Sequence, residues 1–66
     1  MQVIINGESK RLDTPLNVAQ LLEQMALQGK RIAIERNGEI VPRSKFGEQA
    51  LADGDRLEIV VAVGGG

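Results

Sequence analysis

The residues of this 66-residue chain that could take part in chemistry lie in its closing run, Gly64-Gly65-Gly66. The run follows directly on a strand-like apolar segment, Leu57 to Val63. Glycine lacks Cβ and accepts most backbone conformations, so another protein can close tightly around such a stretch. We expect a free α-carboxylate at Gly66, which is an anion at neutral pH. From the glycines alone two interpretations stay open: a reactive end on a thin stalk, and an ordinary frayed terminus.

The chain contains no Cys and no His, which removes the usual means of enzymatic catalysis. The remaining candidate nucleophiles, Ser9, Thr14, Ser44 and the lysines, have no evident activating base in the sequence. No glycine motif that would cradle a phosphate stands before a helix. The sequence therefore predicts that the domain is not an enzyme and binds no metal or cofactor of its own. The carboxylate of Gly66 is its candidate reactive group.

Charge and composition also restrict the partners. Eight Lys and Arg against nine Asp and Glu give a formal net charge of −1, and Phe46 is the only aromatic residue. Since no aromatic platform can stack bases, we expect no nucleic acid partner. No apolar run approaches the ~20 residues of a membrane-spanning helix, and the start lacks a signal segment, so we expect no membrane association. A small domain without disulfides is typical of the cytoplasm, where we expect this protein.

Two Asn-Gly pairs organise the strands that must position the glycine run. Asn6-Gly7 and Asn37-Gly38 are each the strongest short signal for a β-hairpin, because both residues tolerate positive φ. The turns join four predicted strands: residues 1–5 with 8–12, and 31–36 with 39–41. We expect one small domain over residues 1–63, followed by a flexible glycine tail at 64–66.

One helix is predicted between the hairpins. Asn17 is a good N-cap, and Gln20 stands at the capping-box position. Four apolar residues share one face of this helix: Val18, Leu21, Leu22 and Met25. Gly29 is expected to end the helix.

The segment before the last strand is predicted to be irregular. Residues 43–52 indicate a loop with a helical turn, in which Phe46, Ala50 and Leu51 close the base of the core. Asp53-Gly54-Asp55 is interpreted as a tight turn, because the other ligands of a calcium loop are absent.

The order hairpin, helix, hairpin, final strand predicts an α+β fold. The first and last strands are the most apolar, so we expect them side by side at the centre of the sheet, and the intervening crossover makes them parallel. This is the β-grasp, or ubiquitin-like, plan: a mixed sheet of about five strands with one main helix packed on one face.

The two faces of the last strand differ in character. Four apolar residues are expected to meet the helix: Leu57, Ile59, Val61 and Val63. The opposite face begins polar, with Arg56 and Glu58, and turns apolar at Val60 and Ala62. An exposed apolar area beside a protruding end is typical of a docking surface, although ordinary central-strand composition would give the same pattern. We predict Val60, Ala62 and Val63 as partner-binding residues.

Three segments together resemble the ThiS family, the sulfur carriers of thiamine thiazole synthesis. They are Arg36 to Ser44, which contains Ile-Val-Pro-Arg-Ser, Gly54 to Val60, and Ala62 to Gly66. The glycine end is shared by all ubiquitin-like carriers, and it becomes specific when joined to Ile-Val-Pro-Arg-Ser at this spacing. The resemblance covers essentially the whole chain.

The resemblance implies a carrier mechanism at Gly66. A ThiF-type adenylyltransferase would use ATP and Mg to adenylate its carboxylate, and sulfur from a persulfide donor of a cysteine desulfurase pathway would then replace AMP. The product is a thiocarboxylate, 1-thioglycine, from which thiazole synthase (ThiG) would take the sulfur. Gly65 and Gly64 would serve access to the partner sites. Arg43 would pair with an acidic partner surface or remain an ordinary solvated side chain.

Three alternatives remain at this stage. The small subunit of molybdopterin synthase shares the fold and the thiocarboxylate end, but usually carries a Pro-Pro pair before its tail, which residues 59–63 lack. A ubiquitin-like tag would acylate a lysine with the same activated end. A non-covalent β-grasp binding module would leave the glycine tail inert.

Overall fold

The computed structural model describes residues 1–62, and Val63 and the predicted glycine tail lie outside this part of the chain. The described elements, in chain order, are β1 (Gln2–Ile5), β2 (Glu8–Arg11), α1 (Val18–Gln24), β3 (Ile32–Arg36), β4 (Glu39–Ile40), a 3₁₀ turn (Arg43–Lys45) and β5 (Arg56–Val61). No helix within residues 1–62 has the length and apolar character needed to cross a membrane.

The strands form one mixed sheet in the order β2-β1-β5-β3-β4. The first and last strands are adjacent and parallel, with Ile5 opposite Leu57, and the other pairs are antiparallel. The predicted α+β, β-grasp fold is therefore confirmed. The polar strand β2 and the short strand β4 lie at the edges, as their sequences indicate.

Both Asn-Gly pairs adopt the predicted hairpin geometry. Asn6 and Gly7 have φ of 50° and 84°, and Asn37 and Gly38 have φ of 52° and 86°. Positive φ at both central residues gives a turn whose twist matches that of the flanking strands.

The core lies between α1 and one face of the sheet. The buried apolar residues are Val3, Ile5, Leu12, Val18, Leu21, Leu22, Ile34, Val41, Leu51, Leu57 and Ile59. The helical stripe is confirmed, with Met25 half-buried at its end. Phe46 packs against this core.

The expectation that Ala50 helps to close the core is wrong, because its side chain is exposed. Its backbone forms an isolated bridge with Asn17, and the next residue, Leu51, is buried and donates its N–H to the carbonyl of Leu16 at 2.9 Å. Successive residues of an extended segment point to opposite sides, so burial of Leu51 turns Ala50 outward.

The start of α1 is the capping box predicted from the sequence. The Asn17 side-chain oxygen accepts from the Gln20 N–H at 2.8 Å, and the Gln20 side-chain oxygen accepts from the Asn17 N–H at 2.9 Å. Two N–H groups that the helix cannot satisfy internally are thereby paired.

The end of α1 differs from the prediction, because the helix stops at Gln24 and not near Gly29. Ala26 adopts the left-handed conformation, with φ of 58°. Its N–H donates to the carbonyl of Glu23 at 3.0 Å, and the Leu27 N–H donates to the carbonyl of Leu22 at 2.8 Å. These two bonds make a Schellman motif, which ordinarily has glycine at the position of Ala26.

Replacing Ala26 by Gly should therefore stabilise the domain. Glycine removes the Cβ strain of a left-handed residue, and part of this gain is lost to the larger entropy of the unfolded chain. We expect the free energy of unfolding in urea to rise by about 0.5–1 kcal/mol. The control Ala19→Gly, inside α1, should lower it by about 1 kcal/mol. Equal destabilisation by both changes would contradict this assignment of the helix end.

Candidate functional site

Strand β5 carries the chain toward the residues predicted to do the chemistry. It lies between β1 and β3, and its pairing with β3 runs from Leu57 to Val61. One residue further on, the Ala62 N–H donates to the carbonyl of Arg31 at 2.9 Å. The sheet therefore holds the chain up to residue 62. The predicted modification and access residues lie outside the described residues: Gly66, Gly65, Gly64 and, with them, the predicted contact residue Val63.

The side chain of Asn6 extends the pairing of β5 beyond the end of β1. The Asn6 N–H donates to the carbonyl of Leu57 at 2.9 Å. Its side-chain Nδ2 donates to the carbonyl of Ile59 at 3.0 Å, and its Oδ1 accepts from the Ile59 N–H at 2.8 Å. A side-chain amide offers the same donor and acceptor as a peptide group. The Asn6 side chain thus adds a pair of hydrogen bonds to the parallel pairing, although the Asn6 backbone already belongs to the turn.

Asn37 fixes the opposite edge of β5 at the start of the strand. Its N–H donates to the carbonyl of Arg56 at 2.8 Å, and its Oδ1 accepts from the Arg56 N–H at 2.9 Å. Its Nδ2 donates to Oδ1 of Asp55 at 3.0 Å. The asparagines of both hairpin turns therefore bind β5, one from each side.

Asp55 is the buried acid of the described chain, with 4% of its surface exposed. Its Oδ2 accepts from Arg36 Nε at 2.7 Å and from the Ala52 N–H at 2.8 Å. Burial raises the pKa of Asp55, but the hydrogen bonds from Ala52, Arg36 and Asn37, together with the guanidinium charge, outweigh it and hold this pKa below its usual value. Asp55 therefore ties β3 and the turn before β5 together as a structural anion.

The turn interpretation of Asp53-Gly54-Asp55 is confirmed. Gly54 has φ of 85°, and Oδ1 of Asp53 accepts from the Gln2 N–H at 2.7 Å. Both carboxylates are thus used in hydrogen bonds of the fold. Within residues 1–62 no group of three acidic side chains is placed to hold a metal ion.

Two of the predicted partner-binding residues are accessible. Val60 is 61% exposed, and Ala62 is also exposed. Both lie on the sheet face opposite the helix, because Leu57 and Ile59 take up the buried face and side chains alternate along a strand. Their accessibility fits a docking role, and contact with a partner stays a prediction.

Val61 is less buried than the sequence indicates. It shares a face with Leu57 and Ile59 but is 37% exposed. Its cross-strand neighbour Ile32 is only half-buried. The core therefore thins out toward the point where β5 ends.

Arg43 lies in the 3₁₀ turn after β4. Its Nη2 donates to the carbonyl of Lys30 at 3.1 Å, and its side chain is exposed. This bond ties the turn to the segment after α1. Pairing of Arg43 with an acidic partner stays a prediction.

Sequence comparison connects the chain with proteins of known type. A sequence model of the ThiS family matches residues 3–66. The chain is 41% identical over 63 residues to the sulfur carrier protein ThiS of Bacillus subtilis, with 94% of this chain and 96% of the relative covered. It is 42% identical over 66 residues to a thiazole synthase of Paramagnetospirillum magneticum; all of this chain but only 20% of that protein is covered. The chain thus spans about a fifth of this longer relative.

Structure comparison agrees with the sequence matches. The crystal structure of a thiamine biosynthesis protein, ThiS, from Geobacter metallireducens superimposes with a TM-score of 0.84 at 33% identity. The match covers 100% of both chains.

The mixed five-stranded sheet and the single packed helix define a β-grasp, or ubiquitin-like, domain. More particularly, the chain belongs to the ThiS family, the sulfur carriers of thiamine biosynthesis.

Asp55→Asn should show how much the buried anion contributes to the scaffold. The asparagine amide would turn its own NH₂ group toward N–H groups that now donate hydrogen bonds to the carboxylate. We therefore expect a loss of about 2 kcal/mol of unfolding free energy at pH 7. Because the folded pKa is lowered, this stabilisation is complete above the unfolded pKa of about 3.9 and is lost as the pH falls through the folded pKa.

Urea titrations between about pH 6 and pH 2 test this expectation. The difference between wild type and Asp55→Asn should narrow as the pH falls. Asp13→Asn, at an exposed acid for which the described residues show no hydrogen bond, serves as the control and should change stability little. A constant difference for Asp55→Asn across the whole range would refute the role given to the charge.

Proposed function

We propose that this protein carries sulfur to the thiazole of thiamine as a thiocarboxylate on Gly66. The observation that carries the proposal is the extent of the family match, which runs through residue 66. The ThiS protein of Escherichia coli, 29% identical, aligns over all 66 residues and over 100% of its own length. Those alignments include the glycine tail at which the sequence resemblance puts the chemistry.

The chemistry requires activation from outside the chain. A carboxylate is a poor electrophile until it carries a good leaving group, and no Cys or His is available to form an acyl intermediate. In the proposed first step, a carboxylate oxygen of Gly66 attacks the α-phosphate of ATP, and pyrophosphate leaves. ATP and Mg belong to the activating enzyme, a ThiF-type adenylyltransferase, and this chain supplies only the attacking oxygen.

Sulfur then replaces AMP at the activated carbonyl. The terminal sulfur of a cysteine persulfide attacks, AMP leaves, and an acyl disulfide with the donor protein results. A second thiol of the donor attacks the sulfur that belongs to the donor's own cysteine, and the thiocarboxylate is released on the carrier. The donor is thereby oxidised to a disulfide, while the sulfur left on the carrier is reduced. The carrier thiocarboxylate is then a nucleophile that thiazole synthase can use.

The described part of the chain is suited to presenting such an end. Strand β5 is bound on both edges, and Val60 and Ala62 provide exposed apolar contact beside the point where the described chain ends. Gly64 and Gly65 would let the adenylyltransferase close around the chain, because they carry no side chain. The proposal assigns Val60, Ala62 and Val63 to partner contact.

Thiazole synthase is the proposed acceptor of the sulfur. Support comes from thiazole synthases of Paramagnetospirillum magneticum and Magnetococcus marinus, each of which contains a segment that aligns with all of this chain and makes up 20% of the protein. A chain that joins a carrier-like segment to thiazole synthase raises the local concentration of one for the other. The proposal places these reactions in the cytoplasm, of which a small domain without disulfides is typical.

Intact-mass spectrometry provides the test. After incubation with a ThiF-type adenylyltransferase, Mg-ATP and a persulfide donor, we expect the protein to gain about 16 Da, because sulfur replaces one oxygen at the activated acyl centre. Omission of ATP should abolish the gain. An unchanged mass in the complete reaction would contradict the proposed function.

Gly66→Ala is the matched variant for this experiment. We expect it to unfold at the same urea concentration as wild type and to acquire sulfur at least tenfold more slowly, on the order of the loss from a small steric misplacement at a reacting group. Loading at the wild-type rate would show that the access argument for the glycine tail is wrong.

A further inference from the structure

The two hairpin turns that bind β5 share a dipeptide with a chemical weakness. In an Asn-Gly pair, the glycine nitrogen can reach the side-chain amide carbon of the asparagine, because glycine has no Cβ to hinder the approach. Both pairs lie at the surface here, and a Cβ added to Gly7 or Gly38 would meet nothing within 4 Å. Neither glycine N–H donates a hydrogen bond within residues 1–62. Both turns are therefore open to an internal reaction of the asparagine with the glycine that follows it.

This reaction is an acyl substitution that consumes only water. The nitrogen of Gly38, once hydroxide has taken its proton, attacks Cγ of Asn37, and a C–N bond forms. The amide nitrogen takes up a proton and leaves as ammonia, so that a cyclic imide remains. Water opens the imide at Cγ, which gives aspartate, or at the main-chain carbonyl, which gives isoaspartate. In sum, asparagine and water become an acid and ammonia, with no oxidation or reduction.

The fold restrains this reaction at Asn37 through the bonds that hold β5. Oδ1 of Asn37 accepts from the Arg56 N–H at 2.9 Å, and its Nδ2 donates to Oδ1 of Asp55 at 3.0 Å. The side-chain amide must leave both partners before its carbon can meet the glycine nitrogen. The turn leads into β4, which has only two residues and lies at the edge of the sheet. We expect it to open more often than the turn at Asn6, which joins two strands of four residues.

Conversion of Asn37 would set a second carboxylate against the buried acid of the fold. Asn37 donates to Oδ1 of Asp55, while Arg36 donates to Oδ2. An aspartate at position 37 has no N–H to donate, so two carboxylate oxygens would face each other across one hydrogen-bond distance. Asp55 is 4% exposed, so water screens this repulsion poorly, and the single charge of Arg36 cannot offset both acids. The conversion therefore breaks the contact that joins β3 to the start of β5.

The same conversion at Asn6 has a milder consequence. The side chain of Asn6 binds the backbone of Ile59, whose N–H donates to Oδ1 at 2.8 Å. A carboxylate keeps this acceptor and loses only the bond from Nδ2 to the Ile59 carbonyl. No hydrogen bond joins Asn6 to a charged side chain within residues 1–62. One reaction thus has different results at the two turns.

We propose that Asn37 is a modification site, at which spontaneous deamidation removes the bond to Asp55 and releases the start of β5. The inference goes beyond sulfur transfer and does not rest on it, since water is the only co-reactant. Each opening of the β4 edge gives the reaction a chance, and the acid that forms cannot restore the bond. The fold thus sets a limit to the working life of the domain.

Peptide mass spectrometry measures conversion at each asparagine of the isolated protein, kept in mildly alkaline buffer without ATP or any partner. In native buffer we expect Asn37 to convert at least roughly threefold faster than Asn6, because its turn opens more readily. In strong urea the two should convert at the same rate, since both precede glycine. Asn17, which precedes the β-branched Val18, is the internal control and should convert roughly tenfold more slowly in urea.

Asn37→Asp reproduces the product, and Asn37→Gly is its matched control. Both variants lose the bond from Nδ2 to Asp55, and both suit the turn, because Asp-Gly and Gly-Gly are accepted there. Only Asn37→Asp adds a charge, so we expect its Tm at neutral pH to lie roughly 5–15 °C below that of Asn37→Gly. Asn6→Asp and Asn6→Gly should melt within roughly 4 °C of each other.

Acid separates the effect of charge from any other damage done by Asn37→Asp. Two carboxylates in contact share a proton at a raised pKa, so the lost stability should return as the pH falls through that value, toward roughly pH 5. If Asn37→Asp is unfolded at neutral pH, it should refold there. The charged residues next to the pair on β3, β4 and β5 are Arg36, Glu39 and Arg56. Asn37→Gly contains all three, so their titration cancels in the comparison.

Three results would overturn the inference. One is conversion of Asn37 in native buffer no faster than that of Asn6, and another is equal conversion of Asn17 in urea. The third is an Asn37→Asp variant that melts together with Asn37→Gly at every pH. None of these results bears on the proposed function, which depends on the mass gained at Gly66.

Discussion

The hydrogen bonding of β5 on both of its edges is the constraint on which the other features of this small domain depend. On one side β1 pairs with it, and the Asn6 side chain forms two further hydrogen bonds with the backbone of Ile59. On the other side β3 pairs with it along its length, and Asn37 holds its first residue. A strand fixed in this way cannot slide, because a shift of one residue would expose Leu57 and Ile59 and bury the polar face. The position and facing of the chain at residue 62 follow from this register.

A domain of this size has little stability to spare, so the polar contacts matter as much as the apolar core. Asp55 receives three hydrogen bonds, two from the adjacent residues Arg36 and Asn37 and one from Ala52, and no buried side-chain polar atom of the described residues lacks a partner. The buried polar side chains of the described residues are therefore all paired within the fold. Under the proposed function, the sheet holds the last strand in place, and other proteins carry out activation and sulfur transfer.

Much of this arrangement could be predicted from the chain. The Asn-Gly turns, the capping box at Asn17 and the apolar first and last strands indicate the β-grasp order, because each is a strong local signal. The Schellman ending at Ala26 could not be found, since alanine gives no sign of a left-handed conformation. The exposure of Ala50 could not be predicted either, because it follows from the burial of its neighbour Leu51 in an extended segment. The hydrogen bonds of Asn6, Asn37 and Asp55 to β5 and β3 could not be predicted from the sequence, because these partners are distant along the chain. The available signal is an asparagine at the same position of both turns, and that pattern by itself predicts only a turn.

Transfer of a sulfur isotope tests most directly whether this protein carries sulfur to the thiazole, as we propose. The carrier would be loaded with heavy sulfur, freed of donor and ATP, and mixed with thiazole synthase and its carbon substrates in a single turnover. We expect the heavy isotope to appear in the thiazole and the carrier to return to its unmodified mass. Thiazole that contains only light sulfur, formed while the carrier keeps its label, would contradict it.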